Sequence, residues 1–168
     1  MKRVHTSDKF PIYKFRKKVN EKIVSRDILV RPDIAAILPF DNDLIIIEKH
    51  DRFPNGVDIE IPSGNIEADE KPIDCAIREL KEETGYVAEK ITSLTKFYTS
   101  IGYSTQLVHC FTATGLKKVS EQKLDDGEFL TVEKTTFKNM LKMIQSGDIV
   151  DSITLCSVLT YAIKNNLH

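Results

Sequence analysis

Acidic side chains are concentrated in the segment 64–86, which reads GNIEADEKPIDCAIRELKEETGY. On a helix, Glu79, Glu82 and Glu83 would stand at positions i, i+3 and i+4, so their carboxylates would crowd one patch. Like charges at this spacing destabilise an isolated helix by roughly a few tenths of a kcal/mol per pair. Clustered oxygen ligands suit hard divalent cations such as Mg²⁺ and Mn²⁺. Taken alone, the cluster leaves a solvated helix face and a metal site as equal alternatives.

The residues around these carboxylates predict the helix that would carry them, from about 71 to 84. Pro72 suits a first turn, where its missing N–H leaves no hydrogen bond unmade. Gly85 follows as a C-terminal stop. Apolar residues at helical spacing predict one buried stripe, formed by Ile73, Ala76, Ile77 and Leu80.

The remaining elements must position this helix. Alternating or continuous apolar runs bounded by turn residues predict strands. Two further helices are expected near the C-terminus, with Asp151 or Ser152 available as an N-cap for the second. The expected strands span 10–17, 23–31, 33–40, 44–50, 57–62, 90–100, 104–116 and a stretch after 124; the expected helices span 134–146 and 151–166. Hairpins mixed with helices indicate an α/β (α+β) class with a mixed sheet.

Composition excludes several classes of function. The chain has 168 residues and a formal net charge of −1, so there is no basic field for a nucleic-acid polymer or an anionic membrane. Its first residues lack the apolar core of a signal peptide, and no apolar run reaches the roughly 20 residues that a membrane span needs. The three cysteines, Cys75, Cys110 and Cys156, are expected to be buried thiols in a reducing cytoplasm.

The spacing around the acidic cluster separates the two alternatives. The pattern of fixed residue types begins with Gly64, followed after five residues by Glu70. After seven more residues come Arg-Glu-Leu at 78–80, then Glu-Glu at 82–83 and Gly85, each after one residue. A chance match of the eight fixed positions is on the order of 10⁻¹⁰ per starting position at average residue usage. This pattern resembles the Nudix box of the Nudix hydrolases, with Tyr86 where that family usually has Ile, Leu or Val.

The resemblance implies an α/β/α sandwich with a mixed sheet, here preceded by a small N-terminal antiparallel sheet. It also implies hydrolysis of a nucleoside diphosphate linked to another group X, giving a nucleoside monophosphate and a second phosphate-bearing product. The implied cofactor is Mg²⁺, with Mn²⁺ as a possible substitute. The implied division is a β-hairpin or dimerisation segment over residues 1–31 and a hydrolase domain over 32–168.

The resemblance also assigns roles to residues of the box. The metal ligands it implies are the Ser63 backbone carbonyl and the carboxylates of Glu79, Glu82 and Glu83. Arg78 is expected to serve catalysis by orienting these carboxylates through a salt bridge, and Glu70 to support the loop–helix geometry.

The base that activates water is left open between several carboxylates. Glu128 in the acidic loop is favoured by the resemblance, with Asp126 or Glu82 as alternatives. An ordinary turn is a competing interpretation of Asp125-Asp126-Gly127.

Flanking residues resemble the ADP-ribose pyrophosphatases and related nucleotide-sugar hydrolases. EIPSGNIE at 60–67 matches a motif of that subgroup, which makes Glu60 a substrate-binding residue. Arg52 stands where the subgroup has an arginine that contacts substrate phosphates. Ile101 replaces a proline used to diagnose ADP-ribose hydrolysis, and Gln106 replaces a common acidic residue. The subgroup pattern also implies a homodimer joined through residues 1–31.

Two other functions remain as alternatives. The chain could be a catalytically silent Nudix module that binds a nucleotide and regulates a partner, although such a module has no need of three clustered carboxylates. It could instead hydrolyse damaged nucleoside triphosphates, which would release pyrophosphate rather than a sugar phosphate.

Overall fold

The computed structural model describes residues 2–5, 11–124, 127 and 129–167, and for residues 2–5 the backbone alone. The strands are β1 (Lys2–His5), β2 (Ile12–Val19), β3 (Lys22–Leu29), β4 (Ile34–Asp41), β5 (Leu44–Arg52), β6 (Gly56–Glu60), β7 (Ser63–Asn65), β8 (Tyr86–Tyr98), β9 (Leu107–Lys118) and β10 (Leu130–Thr136). The helices are α1 (Pro72–Thr84), α2 (Phe137–Ser146) and α3 (Ser152–Lys164). None of these described helices is long and apolar enough to cross a membrane.

The strands form two sheets. A seven-stranded sheet has the order β10-β5-β4-β9-β8, with β6 paired to β5 and β7 paired to β4. Strands β4 and β9 run parallel, whereas the other described pairs are antiparallel. Strands β1, β2 and β3 form a separate antiparallel sheet. The expected mixed sheet and the small N-terminal antiparallel sheet are therefore confirmed.

Strand β4 lies at the centre of the large sheet because it is apolar on both faces. Successive side chains of a strand point to opposite faces. Ala35 and Ile37 pack in the cluster that contains Cys75, Ala76 and Leu80 of α1. Ala36 and Leu38 pack in the cluster with Met140 of α2 and Val158 of α3. Helices thus cover both faces, which confirms the three-layer sandwich.

Several expected element boundaries are shifted in the structure, three of them near the site or at a helix start. The strand expected over 57–62 ends at Glu60, and residues 63–65 form the separate strand β7, in which Ser63 pairs with Ala36 of β4. Strand β8 begins at Tyr86 rather than near 90, directly after the α1 stop. Strand β10 continues to Thr136, so α2 begins at Phe137 rather than near 134, because the Thr136 side chain accepts the Asn139 N–H at 3.2 Å and caps the helix there.

The buried face of α1 is also rotated from the expected stripe. Ile73 and Ile77 are 38% and 43% exposed. The buried residues are instead Cys75, Ala76, Leu80, Glu83 and Thr84. This rotation turns Glu83 inward, toward β7, at the expense of two isoleucines.

The cysteines are free thiols, but they do not share one environment. Cys75 and Cys110 are buried, as expected. Burial raises the pKa of Cys75 to about 12 and that of Cys110 to about 11. Cys156 is exposed on α3, so its expected burial is wrong.

Candidate active site

A cleft of about 530 Å³ lies where the β6–β7 connection, α1 and the first turn of α3 come together. It collects every described residue to which the sequence assigned a metal-binding, catalytic or substrate-binding role: Arg52, Glu60, Ser63, Arg78, Glu79, Glu82 and Glu83. We call Arg78, Glu79, Glu82 and Glu83 the α1 wall. We call Arg52, Glu60, Asp151 and Ser152 the α3 wall.

Gly64 allows the carboxylate of Glu79 to lie directly against the backbone of β7. A Cβ atom added at Gly64 would stand 1.7 Å from Glu79 Oε1, well inside van der Waals contact. The Glu79 side chain is only 13% exposed. The first glycine of the motif is therefore required by the close approach of a carboxylate.

A second glycine holds the end of α1. Gly85 has φ +75°, and its N–H donates to the Lys81 carbonyl at 2.8 Å. A Cβ at this position would lie 2.1 Å from the Ser120 carbonyl oxygen. Both the left-handed backbone and the packing against residue 120 exclude a side chain here.

Arg78 organises the α1 wall. Its Nε and Nη2 donate to Glu70 Oε1 and Oε2 at 2.9 and 3.1 Å. Its Nη1 donates to Glu79 Oε1 at 2.7 Å and to Glu82 Oε2 at 3.2 Å. One guanidinium therefore offsets the mutual repulsion of three carboxylates. Hydrogen bonding to Glu70 is the main reason that the pKa of Arg78 is raised.

Glu70 connects this arginine to the loop before α1. The hydrogen bonds from Arg78 lower the pKa of Glu70 to about 2 from its ordinary 4.5. Glu70 Oε2 also accepts the Glu67 backbone N–H at 3.0 Å. The carboxylate thus stays charged at neutral pH and closes the loop onto the helix.

Glu83 connects α1 to β7. It is 3% exposed, and its Oε2 accepts the Ser63 backbone N–H at 2.9 Å. The expected metal-ligating carbonyl of Ser63 and the expected ligand Glu83 are therefore neighbours. At the same end of the helix, the Gln122 side chain donates to the Glu83 carbonyl at 2.7 Å, and the Lys123 N–H donates to the Glu82 carbonyl at 2.7 Å.

The α1 wall has the donor chemistry of a site for a hard divalent cation. Glu79, Glu82 and Glu83 line one cleft together with Ser63, and Mg²⁺ and Mn²⁺ prefer the carboxylate and carbonyl oxygens that these residues carry. Among the described residues, however, no three acidic, His or Cys side chains are already arranged as a ligand set. Arg78 holds Glu79 and Glu82, and the Ser63 N–H holds Glu83. The chemical type of these side chains suits a divalent cation. Coordination would require the carboxylates to turn away from Arg78 and from the Ser63 N–H.

Arg52 and Glu60 form an ion pair on the α3 wall. Arg52 Nε donates to Glu60 Oε1 at 2.8 Å, and Arg52 Nη2 donates to Glu60 Oε2 at 2.6 Å. The Glu60 side chain is 8% exposed, whereas that of Arg52 is 46% exposed. The bond to Glu60 is the first cause of a raised pKa at Arg52, and the charges of Glu83 and Asp151 add to it. A buried carboxylate therefore aims a half-exposed cation into the cleft.

The expected base lies largely outside the described structure. Glu128 and its alternative Asp126, together with Asp125, fall outside the described residues. The remaining alternative, Glu82, lines the cleft with a side chain that is 37% exposed and bonded to Arg78.

Several cleft residues were not predicted from the sequence. Gln106 is 3% exposed and donates from Nε2 to the Pro32 carbonyl at 3.0 Å. The other additions are Arg31, Ile34, Asn65, Glu67, Thr99, Lys123, Asp151, Ser152 and Ile153. They lie in connections or within two residues of the end of a strand or helix, where the sequence has little periodic signal.

The chain is similar to known proteins in sequence and in fold. A family model described as the NUDIX domain matches residues 30–149. The chain is 38% identical over 151 residues to an ADP-ribose pyrophosphatase of Bacillus subtilis, covering 88% of this chain and 82% of the relative. It is 33% identical over 142 residues to a methanol dehydrogenase activator of Bacillus methanolicus, covering 83% and 77%. A solved structure described as an ADP compounds hydrolase superposes with a TM-score of 0.85 at 19% identity, covering 99% of this chain and 94% of that one.

Proposed function

The chain belongs to the Nudix family and is a pyrophosphatase of that family, and from this premise we propose that its substrate is ADP-ribose or a closely related nucleotide sugar. Hydrolysis would depend on Mg²⁺ or Mn²⁺ and would give a nucleoside monophosphate and a sugar phosphate. The main support is the similarity to an ADP-ribose pyrophosphatase over 88% of the chain. The cleft adds clustered carboxylates on one wall and a half-exposed arginine on the other.

The α1 wall is suited to the reacting phosphates. The Ser63 carbonyl with Glu79, Glu82 and Glu83 would hold the divalent cation, which would supply neutralisation of charge on the phosphate oxygens. Arg78 keeps Glu79 and Glu82 close together before the cation binds. The carboxylates are spaced so closely that they repel each other in an isolated helix. The same spacing favours cation binding, because it brings several oxygen ligands together.

The α3 wall is suited to binding the substrate. The pyrophosphate oxygens carry negative charge, and Arg52 offers a cation that Glu60 already holds in place. A preorganised donor loses less conformational freedom on binding than a free side chain. The bidentate pair with Glu60 therefore favours affinity for the diphosphate.

Hydrolysis of the diphosphate bridge has a simple balance. A water oxygen forms a bond to one phosphorus, and the bridging oxygen leaves with the other phosphate. The proton released by the water passes to a carboxylate base. We propose Glu128 for this role, with Asp126 or Glu82 as alternatives.

We also propose that the protein is a homodimer joined through the N-terminal segment. Strand β3 ends beside the 100–105 turn, where the Leu29 N–H donates to the Tyr103 carbonyl at 2.8 Å. Phe15, Val19 and Ile23 leave apolar surface exposed on the small sheet. Light scattering of the purified chain would give twice the monomer mass.

The buried free thiols Cys75 and Cys110 support a reducing, cytoplasmic location.

A second candidate function is regulation of a partner enzyme. The similarity to a methanol dehydrogenase activator favours it. A protein that acts only by binding would gain nothing from the ion pairs by which Arg78 holds Glu79 and Glu82 in the cleft. Hydrolysis therefore remains the better supported function.

The test is a screen of phosphate release with Mg²⁺ and then Mn²⁺, coupled to a phosphatase. It would cover ADP-ribose, GDP-mannose, UDP-glucose, dinucleoside polyphosphates and nucleoside triphosphates. We expect kcat/KM above about 10⁴ M⁻¹s⁻¹ for ADP-ribose or another nucleotide sugar. A protein that stays inactive with every compound but melts at a higher temperature with ADP-ribose would support the regulatory function instead.

A further inference from the structure

Thr154 ties the first turn of α3 to the strand connection that leads into the site. Its side-chain hydroxyl accepts the Ile61 backbone N–H at 3.1 Å. The same hydroxyl donates to Asp151 Oδ2 at 2.8 Å, and Asp151 Oδ2 also accepts the Thr154 N–H at 2.7 Å. Thr154 is fully buried and Ile61 is 1% exposed. The single hydroxyl of Thr154 therefore uses both its donor and its acceptor capacity in a dry environment.

The connection from residue 61 to residue 63 is held from three directions. Thr154 takes the Ile61 N–H, and the Ile37 N–H donates to the Pro62 carbonyl at 2.9 Å. Glu83 takes the Ser63 N–H at 2.9 Å. Proline has no N–H, so residue 62 contributes no backbone donor. The backbone donors on either side of it, at Ile61 and Ser63, are both bound by side chains. These side chains come from α3 and α1, which lie on the two cleft walls.

We propose that Thr154, oriented by Asp151, is a positioning residue that sets where the Ser63 carbonyl and the Glu83 carboxylate stand for cation binding. This inference rests on the proposed metal-dependent function. Without the hydroxyl, the Ile61 N–H loses its partner at a buried position, and the connection shifts to reach another acceptor. Because Ser63 is two residues away, such a shift changes the spacing between its carbonyl and Glu83.

The structure offers matched variants for a test. Thr154→Val keeps the shape but removes the hydroxyl, whereas Thr154→Ser keeps the hydroxyl. Ser157→Ala is the control, since Ser157 is buried one turn later on α3 and bonds to Cys110 and the Ile153 carbonyl, away from residues 61–63. The readouts are Mn²⁺ affinity, measured from the electron paramagnetic resonance signal of free Mn²⁺, and turnover of ADP-ribose.

We expect Thr154→Val to weaken Mn²⁺ binding at least about fivefold and to lower kcat at least about tenfold, as displaced ligands do. Thr154→Ser should stay within about twofold of the parent in both, and Ser157→Ala should lower the melting temperature without changing Mn²⁺ affinity. Should Thr154→Val fail to fold, Asp151→Ala tests the same link, because it leaves the hydroxyl in place but removes the acceptor that orients it.

The outcomes separate this inference from the proposed function. If the parent protein hydrolyses a nucleotide sugar and Thr154→Val binds Mn²⁺ as the parent does, the positioning role is overturned and the function stands. If the parent neither binds Mn²⁺ nor turns over any substrate, the proposed function fails and this role fails with it. An equal loss of Mn²⁺ affinity in Ser157→Ala would assign the effect to general destabilisation of α3 and would also overturn the role.

Discussion

The two walls of the cleft are built in different ways. The α1 wall comes from one helix, and Arg78 joins residues that lie within eight positions of it, from Glu70 to Glu82. The α3 wall is assembled from β5, β6 and the start of α3, so that Arg52, Glu60 and Asp151 are close only in the folded chain. We propose that the difference separates two tasks: the local wall concentrates charge for the cation, and the assembled wall binds the substrate. We therefore expect substitutions in the α1 wall to reduce kcat and substitutions of Arg52 or Glu60 in the α3 wall to act mainly on substrate binding.

Glu83→Gln should have the largest effect. A neutral amide keeps the acceptor for the Ser63 N–H but removes the negative charge that favours a cation. We expect kcat to fall at least about 10²-fold with the fold unchanged. Glu133→Gln is the control, because Glu133 pairs with Lys49 at the surface of β10. Near-normal turnover of Glu83→Gln, measured at saturating Mg²⁺, would refute the metal assignment.

Gly64→Ala should come next. The new Cβ would meet Glu79 Oε1 at 1.7 Å, and the flexible carboxylate would move away. We expect kcat to fall at least about tenfold while the melting temperature changes little, because the displaced atoms are a side-chain end. Gly102→Ala is the matched control, since a Cβ there would meet nothing within 4 Å. Equal kinetics for the two alanine variants would show that Glu79 need not lie against the backbone.

Arg52→Lys tests the α3 wall. Lysine keeps the charge but cannot reproduce the two parallel bonds to Glu60. We expect KM for ADP-ribose to rise about fivefold, with kcat within about twofold of the parent. Steady-state kinetics beside the surface control Lys49→Arg would measure the split. A loss confined to kcat would indicate that Arg52 acts in the chemical step rather than in binding. It would contradict the proposed difference in function between the two walls.

Glu70→Gln should give the smallest effect, visible in stability. The folded-state pKa of Glu70 is lowered to about 2 from 4.5, so its ion pair stabilises the fold above the ordinary pKa. This contribution is lost as the pH falls from about 4.5 toward about 2. The variant should therefore be less stable than the parent at pH 7, and the gap should narrow below about pH 4.5. A gap that stays constant in urea unfolding from pH 7 to pH 3 would contradict the ion pair's role.

The same contrast explains what the sequence could predict. The motif on α1 could be predicted from the sequence because all its residues lie close together along the chain. Hairpins and apolar runs predicted the mixed sheet. The rotation of α1 could not be predicted, because Ile73 and Ile77 have the spacing of a buried stripe although they are partly exposed. The inward position of Glu83 depends on its bond to Ser63, which lies on another element. Thr154 gave no signal at all, since its partner Ile61 lies 93 positions away. Contacts between distant segments were out of reach of periodicity.

The most direct test of the account is the identity of the products from ADP-ribose in the presence of Mg²⁺. The account predicts AMP and ribose 5-phosphate in equal amounts from the parent protein, with formation abolished by chelation of the cation and reduced at least about 10²-fold in Glu83→Gln. Product formation that persists at the same rate without a divalent cation, or in Glu83→Gln, would contradict the central claim that the α1 wall works as a metal site for hydrolysis of the diphosphate bond.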